Sequence, residues 1–264
     1  MMWAKKMQNN NPTIKIHNAE DLGKMRSSCI LAAKTLNYIE KFVQPNITTQ
    51  ELNDLCHEYI ISHGASPAPL NYNGFPKSIC TSVNDVICHG IPSPQEKIKS
   101  GDIINIDVTV ILDGYHGDTS KTFLVGECSN HAKRVVSVAQ QALYEGISAV
   151  KSYGYFNDIG NAIQKYVDSQ GFSVVRDYCG HGIGKLFHDA PQVLHYKNNE
   201  SHIQILPGMF FTIEPMVNAG SYKTKLRKDG WTVTTVDKSL SAQFEHTIAV
   251  LEDSVEILTL AIQD

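Results

Sequence analysis

The stretch NIDVTVILDGYHGDTSKT, residues 105–122, decides the fold. Asp113-Gly114 suits the two φ > 0 positions of a type I′ turn, so the runs on either side form a two-residue β-hairpin. Asp118 then lies opposite Thr109. Side chains alternate faces along a strand, so Asp107 projects on the same side as Thr109, and Asp107 and Asp118 become diagonal neighbours. The run IINIDVTVIL is apolar enough to be buried, and two like charges on one buried face call for a proton or a cation between them. A bound cation is the expectation for Asp107 and Asp118, whereas Asp113 serves the turn.

The chain has 264 residues, 42% of them hydrophobic, enough for a sizeable core. Its net charge of −4, with basic residues scattered along the chain, argues against a dedicated nucleic-acid surface. No stretch approaches the ~20 apolar residues of a membrane span, and MMWAKKMQNNNP has no signal-peptide core, so a cytoplasmic location is expected. The six cysteines show no CxxC spacing, which disfavours a structural zinc site or a redox motif. Residues 1–12 read as a flexible leader and 13–264 as a single catalytic domain.

Met25, Cys29, Ala32, Leu36 and Ile39 follow helical spacing from Asp21 to Gln44, with Pro45 ending the run. A second helix starts at a capping box, Thr48 with Glu51, buries Leu52, Leu55, Cys56 and Tyr59, and stops at Gly64. The pattern then recurs at an offset of 107, the separation of Gly64 from Gly171. At that offset Ala32 matches Ala139, Leu36 matches Leu143, Tyr59 matches Tyr166, Gly101 matches Gly208, and Asp107 matches Glu214. Two related halves are therefore expected, roughly 21–127 and 128–260. Each reads helix, helix, strands, so the class is α+β, with antiparallel sheets lined by four main helices and the carboxylates near a pseudo-two-fold centre.

YCGHGIGKLFHD, residues 178–189, holds His181 and His188 among three glycines. Lys185 is followed by Leu186, and the glycine spacing fits neither the P-loop nor the dinucleotide fingerprint. The glycines instead let backbone crowd around an imidazole. Glu214 in FFTIEP and Glu245 in AQFEHTIAV sit among apolar residues where an unpaired carboxylate is expensive. Strand alternation sends Glu245 and His246 to opposite faces; Glu245 is assigned to the site and His246 to a structural bond. Asp107, Asp118, His181, Glu214 and Glu245 form an oxygen-rich set suited to Mn, Fe(II), Co, Zn or Ni. Two such ions about 3.5–4 Å apart make a hydrolytic centre.

These residues, with NYNGFPKSIC, VICHGIP, NIDVTVILDGYHGDTSKTF, YCGHGIGKLFH, GMFFTIEPM, DGWTVTT and SLSAQFEHT, resemble the type I methionine aminopeptidases from about Asp21 to Leu260. The resemblance implies the pita-bread fold and removal of initiator methionine from nascent polypeptides when the second residue is small. It implies that Asp107 chelates one metal, Asp118 and Glu245 bridge both, and His181 with Glu214 holds the other. His89 and His188 would contact the scissile amide and the developing oxygen, and Glu214 would also shuttle a proton. Tyr72, Phe75, Cys80, Phe187 and Trp231 would form the methionine pocket, suiting an unbranched thioether. Asn84, Val86 and Ser241 would hold a monovalent cation through backbone oxygens. Pro69 and Phe75 depart from the cysteine and tyrosine frequent in relatives.

Only a short span separates Glu214 from Glu245, without the insertion of type II relatives, and the leader lacks a cysteine-rich zinc domain, so the style is bacterial or organellar. Proline-specific peptidases of the same fold usually carry a large extra N-terminal domain. A non-catalytic binding protein on this scaffold would typically lack some of the five ligands, and structural calcium sits poorly with a histidine ligand. Transient ribosome association fits the implied substrate, and nothing in the sequence requires more than a monomer.

Overall fold

The computed structural model describes residues 14–198 and 202–260. The leader expected over residues 1–12 lies outside the described residues. Helix α1 spans Ala19–Glu40, its N-terminus closed by a reciprocal capping box between Asn18 and Asp21. It ends four residues short of the expected Gln44. Lys41 caps it in helical geometry, and the next two amides turn back onto Ile39 and Glu40, so the chain leaves the helix well before Pro45. Helix α2, Thr49–Ser62, starts at the Thr48–Glu51 capping box and gives way to Gly64 at φ 74°. Leu52 and Cys56 are buried as expected, Leu55 and Tyr59 pack partly buried at the edge of the core, and Ile60 takes the deep position.

After β1 (Ser66–Pro67), β2 (Cys80–Val83) and β3 (Val86–Cys88) comes the hairpin of β4 (Ile103–Leu112) and β5 (Tyr115–Leu124). Asp113 and Gly114 turn at φ 52° and 78°, and Asp118 pairs with Thr109. β4 is central in its sheet, with β1 and β2 on one side and β5 on the other. Its Ile104, Ile106, Val108 and Val110 are fully buried against α1 and α2, worth roughly 1.5–3 kcal/mol each.

Helices α3 (Asn130–Ser148) and α4 (Phe156–Ser169) cover the second half. The remaining strands are β6 (Ser173–Val174), β7 (Gly180–Gly182), β8 (Asp189–Val193), β9 (Phe210–Ile213), β10 (Met216–Asn218), β11 (Thr224–Leu226), β12 (Val233–Thr235), β13 (Ser241–Gln243), β14 (His246–Val250) and β15 (Val255–Ile257). Adding the Gly64-to-Gly171 offset to the bounds of α2 and β1 gives those of α4 and β6. β9 and β10 together occupy the place of β4, interrupted at Glu214-Pro215, where proline has no N–H for the ladder.

The halves are joined where β5 meets β13 and β14. The Glu245 amide donates to Ser120 O at 3.0 Å, the Thr119 hydroxyl to Glu245 O at 2.8 Å, and the Thr247 hydroxyl to Asp118 O at 2.7 Å. Asn105 and Thr122 side chains both donate to Gln243 O. This seam fixes the acids of one half against those of the other.

Candidate metal centre

Asp107 and Asp118 lie on strands of known register, and Glu214 and Glu245 between such strands. Asp118 projects from β5, and its Oδ1 accepts from the Thr109 hydroxyl at 2.7 Å. Ile213 pairs with His246 and Met216 with Gln243, so Glu214 and Glu245 fall opposite one another in the break between those pairs. His181 sits in the middle of β7 between Gly180 and Gly182, and those glycines are obligatory. A Cβ at Gly180 would lie 2.3 Å from Thr212 O, and one at Gly182 2.0 Å from Ala190 O. The neighbouring strands thus approach β7 as closely as backbone allows.

One ligand atom from each of Asp118, His181 and Glu245 lies within 4.8 Å of the other two. His181 Nε2 is 3.7 Å from Asp118 Oδ2 and 3.6 Å from Glu214 Oε1. These separations are too long for good hydrogen bonds but match atoms facing a common ion with ligand bonds of about 2.0–2.2 Å. Asp107 stands on β4 opposite Ser120 and Cys80 at the edge of this group. His246 is turned away, its Nδ1 2.8 Å from the Thr259 hydroxyl.

Burial pushes the Asp107 carboxyl up to about 7. Burial, then the charges of neighbouring carboxylates, hold Asp118, Glu214 and Glu245 well above the usual carboxylate range. Burial lowers His181 to about 4, so it is neutral and competent as a ligand at neutral pH. Four crowded acids beside a neutral imidazole are what a divalent cation would relieve, and the donor set fits one.

The other expected residues form two ring groups around the acids. Tyr72 lies 4.9 Å from Phe187 between centroids, and its hydroxyl is 2.9 Å from His188 Nδ1. Phe75 meets Trp231 edge to face at 5.2 Å, and Trp231 lies 6.3 Å from His89. His89 holds a left-handed backbone at φ 55°, a conformation costing about 1–3 kcal/mol for a residue with a side chain. Burial lowers its ring to about 4. Cys80 is buried, opposite Asp107. Asn84 turns at φ 53° and its carbonyl accepts the Ser241 amide at 2.9 Å, with Val86 opening β3 two residues on.

Sequence reasoning missed several supports. The Thr212 hydroxyl donates to Glu214 Oε1 at 2.8 Å and accepts the His181 amide at 3.0 Å, and Gln243 Nε2 donates to Glu214 Oε2 at 3.2 Å. Each stands two residues before a site acid, a spacing that puts it on the same strand face and could have exposed it. His195 Nε2 accepts the Glu214 amide, Tyr178 meets the His89 ring, and His116 stacks on Phe187. Of these, His195 carries no local signal, whereas Tyr178 opens the YCGHGIGKLFHD stretch and His116 stands two residues before Asp118.

A buried acid–imidazole group at the seam of a repeated α+β fold fits a divalent-metal-binding protein. The profile of metallopeptidase family M24 matches residues 23–252. Methionine aminopeptidase of Rickettsia prowazekii is 58% identical over 250 residues, covering 94% of this chain and 96% of that protein. Methionine aminopeptidase A of Synechocystis is 56% identical, covering 94% and 98%. The crystal structure of the Rickettsia enzyme superposes with a TM-score of 0.92 at 57% identity, covering 94% of this chain and all of that one. Methionine aminopeptidase from Thermotoga maritima gives 0.91 at 35%, covering 94% and 99%. The prolidase from Pyrococcus furiosus, at 18% identity and a TM-score of 0.73, covering 94% and 66%, shares the fold alone. The chain belongs to metallopeptidase family M24 and has its pita-bread fold. Among the described residues, no helix is long and apolar enough to cross a membrane.

Proposed function

We propose that this chain removes the N-terminal methionine from nascent polypeptides whose second residue is small. The observation that carries the reading is the juxtaposition of the Asp118–His181–Glu245 group with the first ring group, where the His181 ring lies 6.2 Å from Phe187 and 4.3 Å from His188 between centroids. Asp107, Asp118, His181, Glu214 and Glu245 would hold two divalent ions of the Mn, Fe(II), Co, Zn or Ni type. When bound, these supply Lewis-acid polarisation of the scissile carbonyl and a water acidic enough to react near neutral pH.

The chain's own groups do the rest. Tyr72, Phe75, Cys80, Phe187 and Trp231 line an apolar slot for an unbranched thioether. The Tyr72 hydroxyl beside His188 Nδ1 favours the Nε2–H tautomer, which offers a donor to the oxygen that gains charge. His89, neutral and set by its left-handed backbone, is assigned to the scissile amide. Glu214 carries a proton to the leaving amine, its two oxygens oriented by Thr212 and Gln243. Backbone oxygens of Asn84, Val86 and Ser241 are assigned to a monovalent cation. The same reading takes residues 13–264 as one catalytic domain, monomeric and cytoplasmic, associating transiently with ribosomes where such N-termini emerge.

The test is hydrolysis of Met-Ala-Ser by chelator-stripped protein before and after Mn(II) or Co(II), with Met-Lys-Ser and Ala-Pro-Ser alongside. Metal-dependent release of methionine from the first peptide alone is expected. Cleavage of Ala-Pro-Ser in its place would move the chain to the proline-specific branch, and no cleavage with any metal would favour a binding role.

A further inference from the structure

An open pocket of about 400 Å³ is lined by none of the metal-centre residues. Thr81, Gly90 and Thr232 line it, and each directly follows a residue assigned to the peptidase site: Cys80, His89 and Trp231. The Thr81 and Gly90 backbones are in direct contact. A Cβ on Gly90 would sit 2.0 Å from Thr81 O, and the Thr81 amide donates to Gly90 O at 2.9 Å. The volume falls within the roughly 300–1,000 Å³ of small-molecule sites.

Three polar groups of the lining lack strong partners, Arg227 among them with 47% of its side chain exposed. Thr81 is 1% exposed, yet its hydroxyl has no hydrogen-bond partner. The Glu96 carboxylate has one long bond, 3.3 Å from the Thr49 hydroxyl, and burial pushes its titration up. Arg227 reaches its nearest acid, Asp85, only at 4.0 Å. Glu96 and Arg227 line the same cavity and attract one another, but among the described residues no ion pair joins them. Val86 and Ile91 supply apolar lining.

We propose that this cavity binds a free α-amino acid with an aliphatic side chain, its ammonium on Glu96, its carboxylate on Arg227 and its side chain against Val86 and Ile91. A zwitterion meets both charges at once, and Arg227 can take a carboxylate bidentately. The occupant would also touch the substrate pocket indirectly. Asp229, another lining residue, accepts the Trp231 and Thr232 amides at 2.9 Å each and so sets where the Trp231 backbone lies. Occupancy therefore alters methionine recognition, a consequence that rests on the peptidase reading, whereas the binding itself does not.

L-Valine is the probe, because its branched side chain suits the methionine slot poorly. It is titrated into chelator-stripped wild type, Glu96→Gln and Arg227→Gln, followed by amide NMR, with L-valinamide as the probe lacking a carboxylate. Saturable shifts at Thr81, Gly90 and Thr232 are expected, with affinity about tenfold weaker in each variant, the loss of one charge-assisted bond. Valinamide should bind wild type as weakly as valine binds Arg227→Gln. Absence of shifts, or equal affinity in all three proteins, overturns the site. In the loaded enzyme, valine should change KM for Met-Ala-Ser in wild type and not in Arg227→Gln; an unchanged KM with intact binding overturns the coupling. If Met-Ala-Ser is not hydrolysed at all, the peptidase reading falls while the NMR titration still decides the site.

Discussion

Replacing Asp107 by asparagine should stabilise the metal-free protein at pH 8 and make no difference near pH 3. Burial raises the Asp107 carboxyl to about 7 against an ordinary 3.8. Below 3.8 the folded and unfolded chains both carry the proton, so no penalty exists. Between 3.8 and about 7 the unfolded chain releases it while the folded one keeps it, and stability falls as pH rises. Above 7 the penalty is complete: about three pH units at about 1.36 kcal/mol each, or about 4 kcal/mol. With an unfolding entropy near 2.1 cal/mol/K per residue over this chain, that is about 7 °C in Tm. Asparagine has nearly the same shape and no charge, and it also removes one of the charges acting on Asp118, Glu214 and Glu245. The assay is thermal unfolding of chelator-stripped wild type and Asp107→Asn across pH 3–9. A Tm difference that stays flat with pH would refute the reasoning. Adding Mn(II) at pH 7.5 should reverse the order, because the wild type then gains the cation the carboxylate was placed to meet.

Gly182→Ala should prise β7 from β8, since its Cβ would lie 2.0 Å from Ala190 O, at a loss of about 3 kcal/mol or more in urea unfolding; near-wild-type stability would mean the strands are looser than the structure has them. Thr212→Val removes the hydroxyl that both supports Glu214 and receives the His181 amide, and metal affinity by calorimetry should drop about 10- to 100-fold with the fold retained. His89→Ala should keep its metal content yet hydrolyse Met-Ala-Ser about a hundredfold more slowly or worse, and unchanged kcat/KM would make His89 purely structural. Trp231→Ala should cut the preference for methionine over leucine about tenfold in kcat/KM, and an intact preference would remove the ring from the pocket.

The sequence by itself determined the local geometry and the inventory of chemistry. Asp113-Gly114 set the β4–β5 register, and with it Asp118 against Thr109, because a two-residue turn leaves no freedom in the pairing. Thr48 and Glu51 placed the start of α2, and the repeat placed α4 from α2, since caps and glycine stops act within a few residues. What the tertiary structure decided was everything that depends on strands remote in sequence. The partial exposure of Leu55 and Tyr59 and the register that sets Glu214 opposite Glu245 follow from packing between elements. So does the place of His195, brought to the Glu214 amide from a segment whose periodicity says nothing of that partner. Periodicity and turn chemistry bind a residue to its neighbours along the chain; the distance from His181 to Asp118 is set by the seam between two halves, where backbone of β5 and β14 meets.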